Sequence, residues 1–353
     1  MRLVHKGTYF LAAAIPMTIL AGCSGGSASG TNAASGPPPE VSSITIEAVP
    51  TADAAGLYLA YDEGLFARQG LTVRIAPIFG GEFGMGDLQT GKVQLVEGNY
   101  VSFILAQIAG KFAAPDPANP AVTFATKPIN MRMIADTSQM EPGNQALYVM
   151  PNSPYKTVAD LAKDHARIGI NSRNNIAQVL LGSLFTANGL QLSKIRQVVQ
   201  PMPAMPANLS AHKLDAAWLP EPFATEASQR YGAVQLADFN QGSLQNFPIT
   251  TIVGDTQWVQ SHPHTIAAFL RALQQGQQIA DTNRAAVEKA LVLHTGVSTV
   301  VAATMTLDTY PLGMDVPVMQ RVSDAMFEFG ETPGLKQPYD IAAMIPPEPG
   351  EVK

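Results

Sequence analysis

Cysteine is almost missing from this chain of 353 residues: Cys23 is the only one, so no intramolecular disulfide can hold the fold together. Charge is sparse, at 14% of residues, and no block of Lys or Arg occurs, which argues against a nucleic-acid partner. The N-terminal apolar stretch, Tyr9 to Ala21, is interrupted by Pro16 and is too short for a comfortable membrane span. There is no Walker A motif and no complete Gly-rich dinucleotide motif, so no cofactor is expected. His262 and His264 flank Pro263, but no carboxylate or third ligand nearby completes a metal site. Gly22-Cys23-Ser24-Gly25-Gly26 formally matches G-x-S-x-G, yet it lies where the N-terminal leader ends rather than between a strand and a helix. These absences together point to a protein that is not an enzyme.

What is present is apolar material: 46% of residues are hydrophobic and the net charge is −6. That composition and length support sizeable cores, with two lobes as the first expectation. Arg2 and Lys6 precede the apolar stretch, which suits a secretory leader. It ends in Leu20-Ala21-Gly22-Cys23, which resembles a bacterial lipobox. The resemblance implies cleavage before Cys23 and acylation of its thiol, whose thiolate is a good nucleophile. Residues 1–22 are then a lipoprotein signal peptide. Residues 23–43, rich in Gly, Ser and Ala and stiffened by Pro37-Pro38-Pro39, form a tether. The mature chain is more acidic than the whole, since Arg2 and Lys6 leave with the leader. Long-range attraction to anionic lipid therefore cannot anchor it, and the lipid must.

From Val41 the pattern becomes globular. Ser42 to Val49 alternates as a strand, a helical stretch runs to Gln69 and Gly70, and Leu71 to Ile78 alternates again. Phe79 to Gly84 reads as a loop, followed by a helix through Leu88, a strand from Val93 to Val96 and another helix after Asn99-Tyr100. Strand, loop and helix in that order predict βα units on a mainly parallel sheet. Ala113 to Lys127 reads as a surface loop. Later strands are expected at Met131–Ala135, Ala146–Met150, Arg167–Ile170, Ile195–Val199, Ala216–Leu219, Val234–Leu236 and Thr250–Val253. A long helix is expected over Pro263–Asn283.

Four stretches resemble the periplasmic solute-binding proteins for nitrate, sulfonates, taurine and thiamine-pyrimidine precursors, the NMT1/SsuA-like family. They are Ala54–Ile75 with its Glu-Gly-Leu-Phe turn, Leu88–Val93, Thr157–Asn171 and His212–Phe223. Gln94 stands where that family usually has an aspartate, and Asp160-Leu161-Ala162-Lys163-Asp164 lacks the usual glycine. The resemblance implies an α/β fold of two lobes, the type II periplasmic-binding-protein-like fold, with a ligand cleft between lobes joined by a strand hinge. Lobe one would take residues 44–140 and 255–345, and lobe two 141–254. It also implies a monomeric substrate-binding lipoprotein of an ABC importer, extracytoplasmic and anchored to the bacterial membrane by lipid on Cys23. Such a protein would deliver a small solute to a permease and its ATPase. A pyrimidine-processing enzyme on the same fold and a non-transport sensing lipoprotein are the rival readings.

In open parallel sheets ligands bind beyond the carboxyl ends of strands, and that rule nominates five loops here. Asn171, Ser172, Arg173 and Asn174 open a helix and suit an anionic group, or else one of the first two caps the helix. Asp53, Glu82 and Glu221 carry the opposite sign and suit an amine or N–H group; a cap or a solvated loop charge is the alternative for the first two. Asn99, Tyr100, Phe79, Phe83 and Trp218 supply amide and aromatic surface, though aromatics at strand ends are as often core. Gly80 and Gly81 allow close approach of a ligand, or simply turn the chain. Mixed signs fit a sulfonate zwitterion such as taurine, or a thiamine-pyrimidine precursor, better than bare nitrate.

Overall fold

The computed structural model describes residues 36–109, 129–330 and 335–346. Cys23, the leader, most of the tether and the expected loop at Ala113 to Lys127 lie outside these residues. The first sheet begins with β1 (Ser43–Ala48), β2 (Thr72–Pro77), β3 (Leu95–Asn99) and β4 (Met131–Gln139). The second takes β5 (Gln145–Val149), β6 (Arg167–Ile170), β7 (Arg196–Val199), β8 (Ala216–Pro220) and β9 (Val234–Asp238), and β10 (Pro248–Asp255) returns to the first. Helices α1 (Ala55–Asp62), α2 (Leu65–Arg68), α3 (Met85–Gln89) and α4 (Tyr100–Ala109) serve the first sheet's loops. Next come α5 (Val158–Lys163), α6 (Ile176–Ala187), α7 (Met205–Ser210) and α8 (Phe223–Tyr231) among the strands of the second. The chain then runs through α9 (Thr256–Ser261), α10 (Pro263–Thr282), α11 (Arg284–Thr295), α12 (Thr299–Thr304) and α13 (Val316–Phe329). Among the described residues no helix is long and apolar enough to cross a membrane.

The two sheets repeat one pattern. Their orders are β2-β1-β3-β10-β4 and β7-β6-β8-β5-β9. In each, a parallel trio is followed by one antiparallel strand, β10 or β5. The reversed strands are the ones entering from the other sheet, so the crossing itself sets their direction. The two crossings run side by side: Met140 N donates to Phe247 O at 2.8 Å and Phe239 N to Gln145 O at 3.2 Å. Helices cover the parallel strands, so β3 and β8 are buried along their whole lengths.

Two sequence expectations are corrected. The helix expected to run unbroken to Gln69 is split into α1 and α2 by Gly64, which sits at φ 65°. Glycine adopts that left-handed geometry without the penalty a Cβ carries, so it ends one helix and starts another. The strand expected at Val93 begins two residues later, at Leu95.

Helix α10 lies against α1, and Phe66 stacks on Phe269 with centroids 5.1 Å apart. Their approach depends on small residues: a Cβ on Gly276 would stand 2.1 Å from the carbonyl oxygen of Gly56. Backbone cannot yield as a flexible side chain can, so the helices would have to separate. Gly276→Ala is expected to cost about 1–3 kcal/mol, read as a lower urea midpoint at unchanged slope. An unchanged midpoint would refute the packing argument. At the far end, α13 packs against α6 of the second sheet as well as α4 and β10 of the first.

Candidate functional site

The carboxyl ends of the parallel strands of both sheets meet across one narrow cleft of about 360 Å³ of atom-free space. The first sheet contributes Val49, Thr51 and Asp53 after β1, Gly80 after β2 and Asn99 at the end of β3. The second contributes Asn171 after β6, Met202 after β7, and Trp218 and Pro220 at the end of β8. The reversed strands present their amino ends instead, which brings Gln145 of β5 and Ile249 and Thr250 of β10 into the same walls.

Asp53 is the carboxylate of this cleft. Its Oδ1 accepts from the Ser138 hydroxyl at 2.8 Å. Ser138 Oγ also lies 2.7 Å from Thr250 Oγ1, which lies 2.8 Å from Thr137 Oγ1. Each hydroxyl has one proton, so with Ser138 donating to Asp53 the ladder runs from Thr137 through Thr250 and Ser138 to the carboxylate. Burial pushes the Asp53 pKa up, and the Thr51 and Ser138 hydroxyls offset part of that rise. The Thr51 hydroxyl, near as it is, meets no partner with hydrogen-bond geometry.

The amides are half engaged. Asn99 Oδ1 accepts from Ser102 N at 3.0 Å and so caps α4. Gln145 Oε1 accepts from the indole of Trp218 at 3.1 Å. In both residues the side-chain nitrogen donates to nothing among the described residues. Asn171 is more fully used: its Oδ1 accepts from Asn175 Nδ2 at 2.6 Å and its Nδ2 donates to Phe79 O at 3.4 Å, a bond from one sheet's loop to the other's. The cap of α6 is Asn175, which accepts from Ala177 N, so Asn171 and Ser172 are free of that task.

The remaining sequence-nominated residues are distributed differently. Glu82 is buried beside the cleft rather than lining it; its Oε2 accepts from Ser102 Oγ at 2.9 Å and its Oε1 has no partner. Burial raises its pKa, with the hydroxyls of Ser172 and Ser102 opposing. Glu221 is engaged elsewhere: its carboxylate accepts from Thr225 N and Oγ1 and from Thr306 N, and its backbone oxygen from Ala52 N. Tyr100 is fully buried in the core. A Cβ on Gly81 would stand 2.8 Å from the Phe103 ring, so that glycine serves close packing. Arg173 is exposed and donates to Gln197 O at 3.3 Å, away from the cleft walls. Asn174 adopts φ 56° and its N donates to Gln178. Phe79 is 59% exposed, and Phe83 is half-buried against the core. Cys23 lies outside the described residues.

Sequence reasoning did not nominate Gln145 or Thr250. The carboxyl-end rule covers parallel strands, and both residues start antiparallel ones. Only the reversal of β5 and β10, which no local pattern encodes, turns their amino ends to the cleft.

The model of the NMT1-like family matches residues 37–294. In three dimensions the chain is similar to the alkanesulfonate-binding protein SsuA of Xanthomonas axonopodis pv. citri bound to MOPS. That similarity has 16% identity and a TM-score of 0.68, over 87% of this chain and 98% of that one. The periplasmic aliphatic sulphonate binding protein SsuA of Escherichia coli aligns at 17% identity and TM-score 0.66, over 87% and 98%. The periplasmic nitrate-binding protein NrtA of Synechocystis PCC 6803 aligns at 17% and 0.63, over 74% of this chain and 69% of that one. No match among curated proteins was found. At such identities the shared feature is the fold, the two-lobed α/β periplasmic-binding-protein fold of type II.

Proposed function

Since the chain belongs to the NMT1-like family, we propose that it is the substrate-binding component of an ABC importer. It captures a small polar or zwitterionic solute, a sulfonate such as taurine or a thiamine-pyrimidine precursor, and hands it to a permease. The observation that carries this reading is the cleft, where both sheets bring polar groups that meet no partner among the described residues: the buried Thr51 Oγ1 and the side-chain nitrogens of Asn99 and Gln145. A bound solute that pairs with these groups recovers the free energy that an unmet buried hydroxyl costs. Lobe one (44–140 and 255–345) and lobe two (141–254) close around the solute through the crossings at 140–144 and 239–247. The solute favours the closed state by its differential affinity. The protein acts as a monomer, and acylation at Cys23 anchors it to the bacterial membrane in an extracytoplasmic compartment. Similarity to proteins described as alkanesulfonate-binding and nitrate-binding supports the small-solute range.

Mass spectrometry of co-purified small molecules, followed by thermal shift with taurine, alkanesulfonates, nitrate and aminopyrimidines, tests the proposal. A ligand at about 100 times its Kd adds about 2.7 kcal/mol of stability, and it should come back chemically unchanged. Conversion to product would favour an enzyme on this fold, and no saturable shift would favour a sensing lipoprotein.

A further inference from the structure

Arginine, lysine and histidine are absent from the described walls of the cleft. Arg173, which the sequence offers as an anion ligand, donates to Gln197 O on the exposed surface. The Arg284 guanidinium is directed at the carbonyls of Ala302, Ala303 and Met305. Asp53, in contrast, lies in the wall and is 4% exposed, and among the described residues no basic side chain pairs with it. Its surroundings are acidic as well. Asp53 opposes the ionisation of Glu97 and Asp308, and Glu221 adds to the field at Asp308. The same cleft contains two donors without acceptors, on Asn99 and Gln145, which are 7% and 2% exposed.

A solute that is only an anion meets two amide donors here and also a buried carboxylate lacking a counter-charge. It must either bear that repulsion or keep Asp53 protonated. A solute with a cationic or N–H-bearing nitrogen supplies the missing partner, and its acceptor end takes the two amides. We infer that Asp53 determines the specificity of the cleft, selecting small solutes with a protonated or N–H-donating nitrogen over solutes that are anionic alone. Asn99 and Gln145 donate to the acceptor end. The inference rests on the solute-capture reading and sharpens it.

A matched series on the purified full chain decides it by calorimetry: ethanolamine, taurine, ethanesulfonate, nitrate and 4-aminopyrimidine. The expected result is binding of one or more nitrogen-bearing members and none of ethanesulfonate or nitrate. In Asp53→Asn that binding should weaken about a hundredfold or more, as when one partner of a buried charge pair is removed. Ethanesulfonate or nitrate binding as tightly as the best nitrogen compound overturns the inference and leaves solute capture standing. So does a nitrogen compound whose affinity is unchanged in Asp53→Asn. Failure of all five to bind overturns both readings. Should Asp53→Asn not fold, the ranking of the five compounds on the unsubstituted chain decides alone.

Discussion

Unfolding by urea at pH 5 and at pH 8.5 is expected to show a markedly more stable protein at pH 5. Glu97 sits on β3 with no exposed surface, its Oε2 accepting from Val49 N at 3.0 Å and its Oε1 unpartnered. Burial first, and the nearby Asp53 second, push its pKa up from 4.5 to about 8. Asp136 on β4 is pushed up to about 7, chiefly by burial. Between the unfolded and folded values the native state binds the proton that the unfolded state has released, so stability falls as pH rises. The contribution is fully present below about pH 4 and lost as pH climbs through 7 and 8. For Glu97 alone the change across pH 5 to 8.5 is on the order of 4 kcal/mol, and Asp136 adds on the order of 3. Glu97→Gln keeps an acceptor for Val49 N and removes the titration, so its profile should be flatter. Equal stability at both pH values, or a rise toward pH 8.5, would show that these carboxyls are not held neutral.

Truncating Trp218 should cost about as much. The indole is 3% exposed at the end of β8, forms part of the cleft wall and donates to Gln145 Oε1. Trp218→Ala removes a large buried ring and its hydrogen bond together, for about 3–5 kcal/mol. Trp218→Phe separates the two terms: most of the ring volume stays, and the buried Gln145 oxygen loses its donor, at about 1–3 kcal/mol. The chain has two tryptophans, and the other, Trp258, stacks on His262 at 4.6 Å on α9. Ligand-induced change in fluorescence should therefore vanish in Trp218→Phe and persist in Trp258→Phe. The reverse pattern would move the binding site away from this cleft.

The fold class was legible because its signals are local. Alternating β-branched runs such as Ser43–Ala48, and the apolar face of Ile176, Val179, Leu180 and Leu184, follow from the periods of strand and helix. The capping box of Thr157 and Asp160 is local in the same way. Several loops beyond parallel strands were legible too, and they delivered Asp53, Asn99, Asn171 and Trp218 to the cleft. Glu221, Tyr100 and Arg173 come from the same loops and point to other work, because side-chain direction depends on what packs around the loop. Arg173 is directed by a carbonyl of β7, and Glu221 by Thr225 and a segment 85 residues away.

By itself the sequence determined the order of βα units, the apolar cores and the family pattern, since each is written in spacings of a few residues. Only the tertiary structure decided which residues share the cleft. The reversal of β5 and β10 brings Gln145 and Thr250 into the cleft that Asp53 lines, and a carbonyl of β7 holds Arg173 away from it. Contact between residues a hundred positions apart is a property of chain crossing and packing, which local periodicity does not encode.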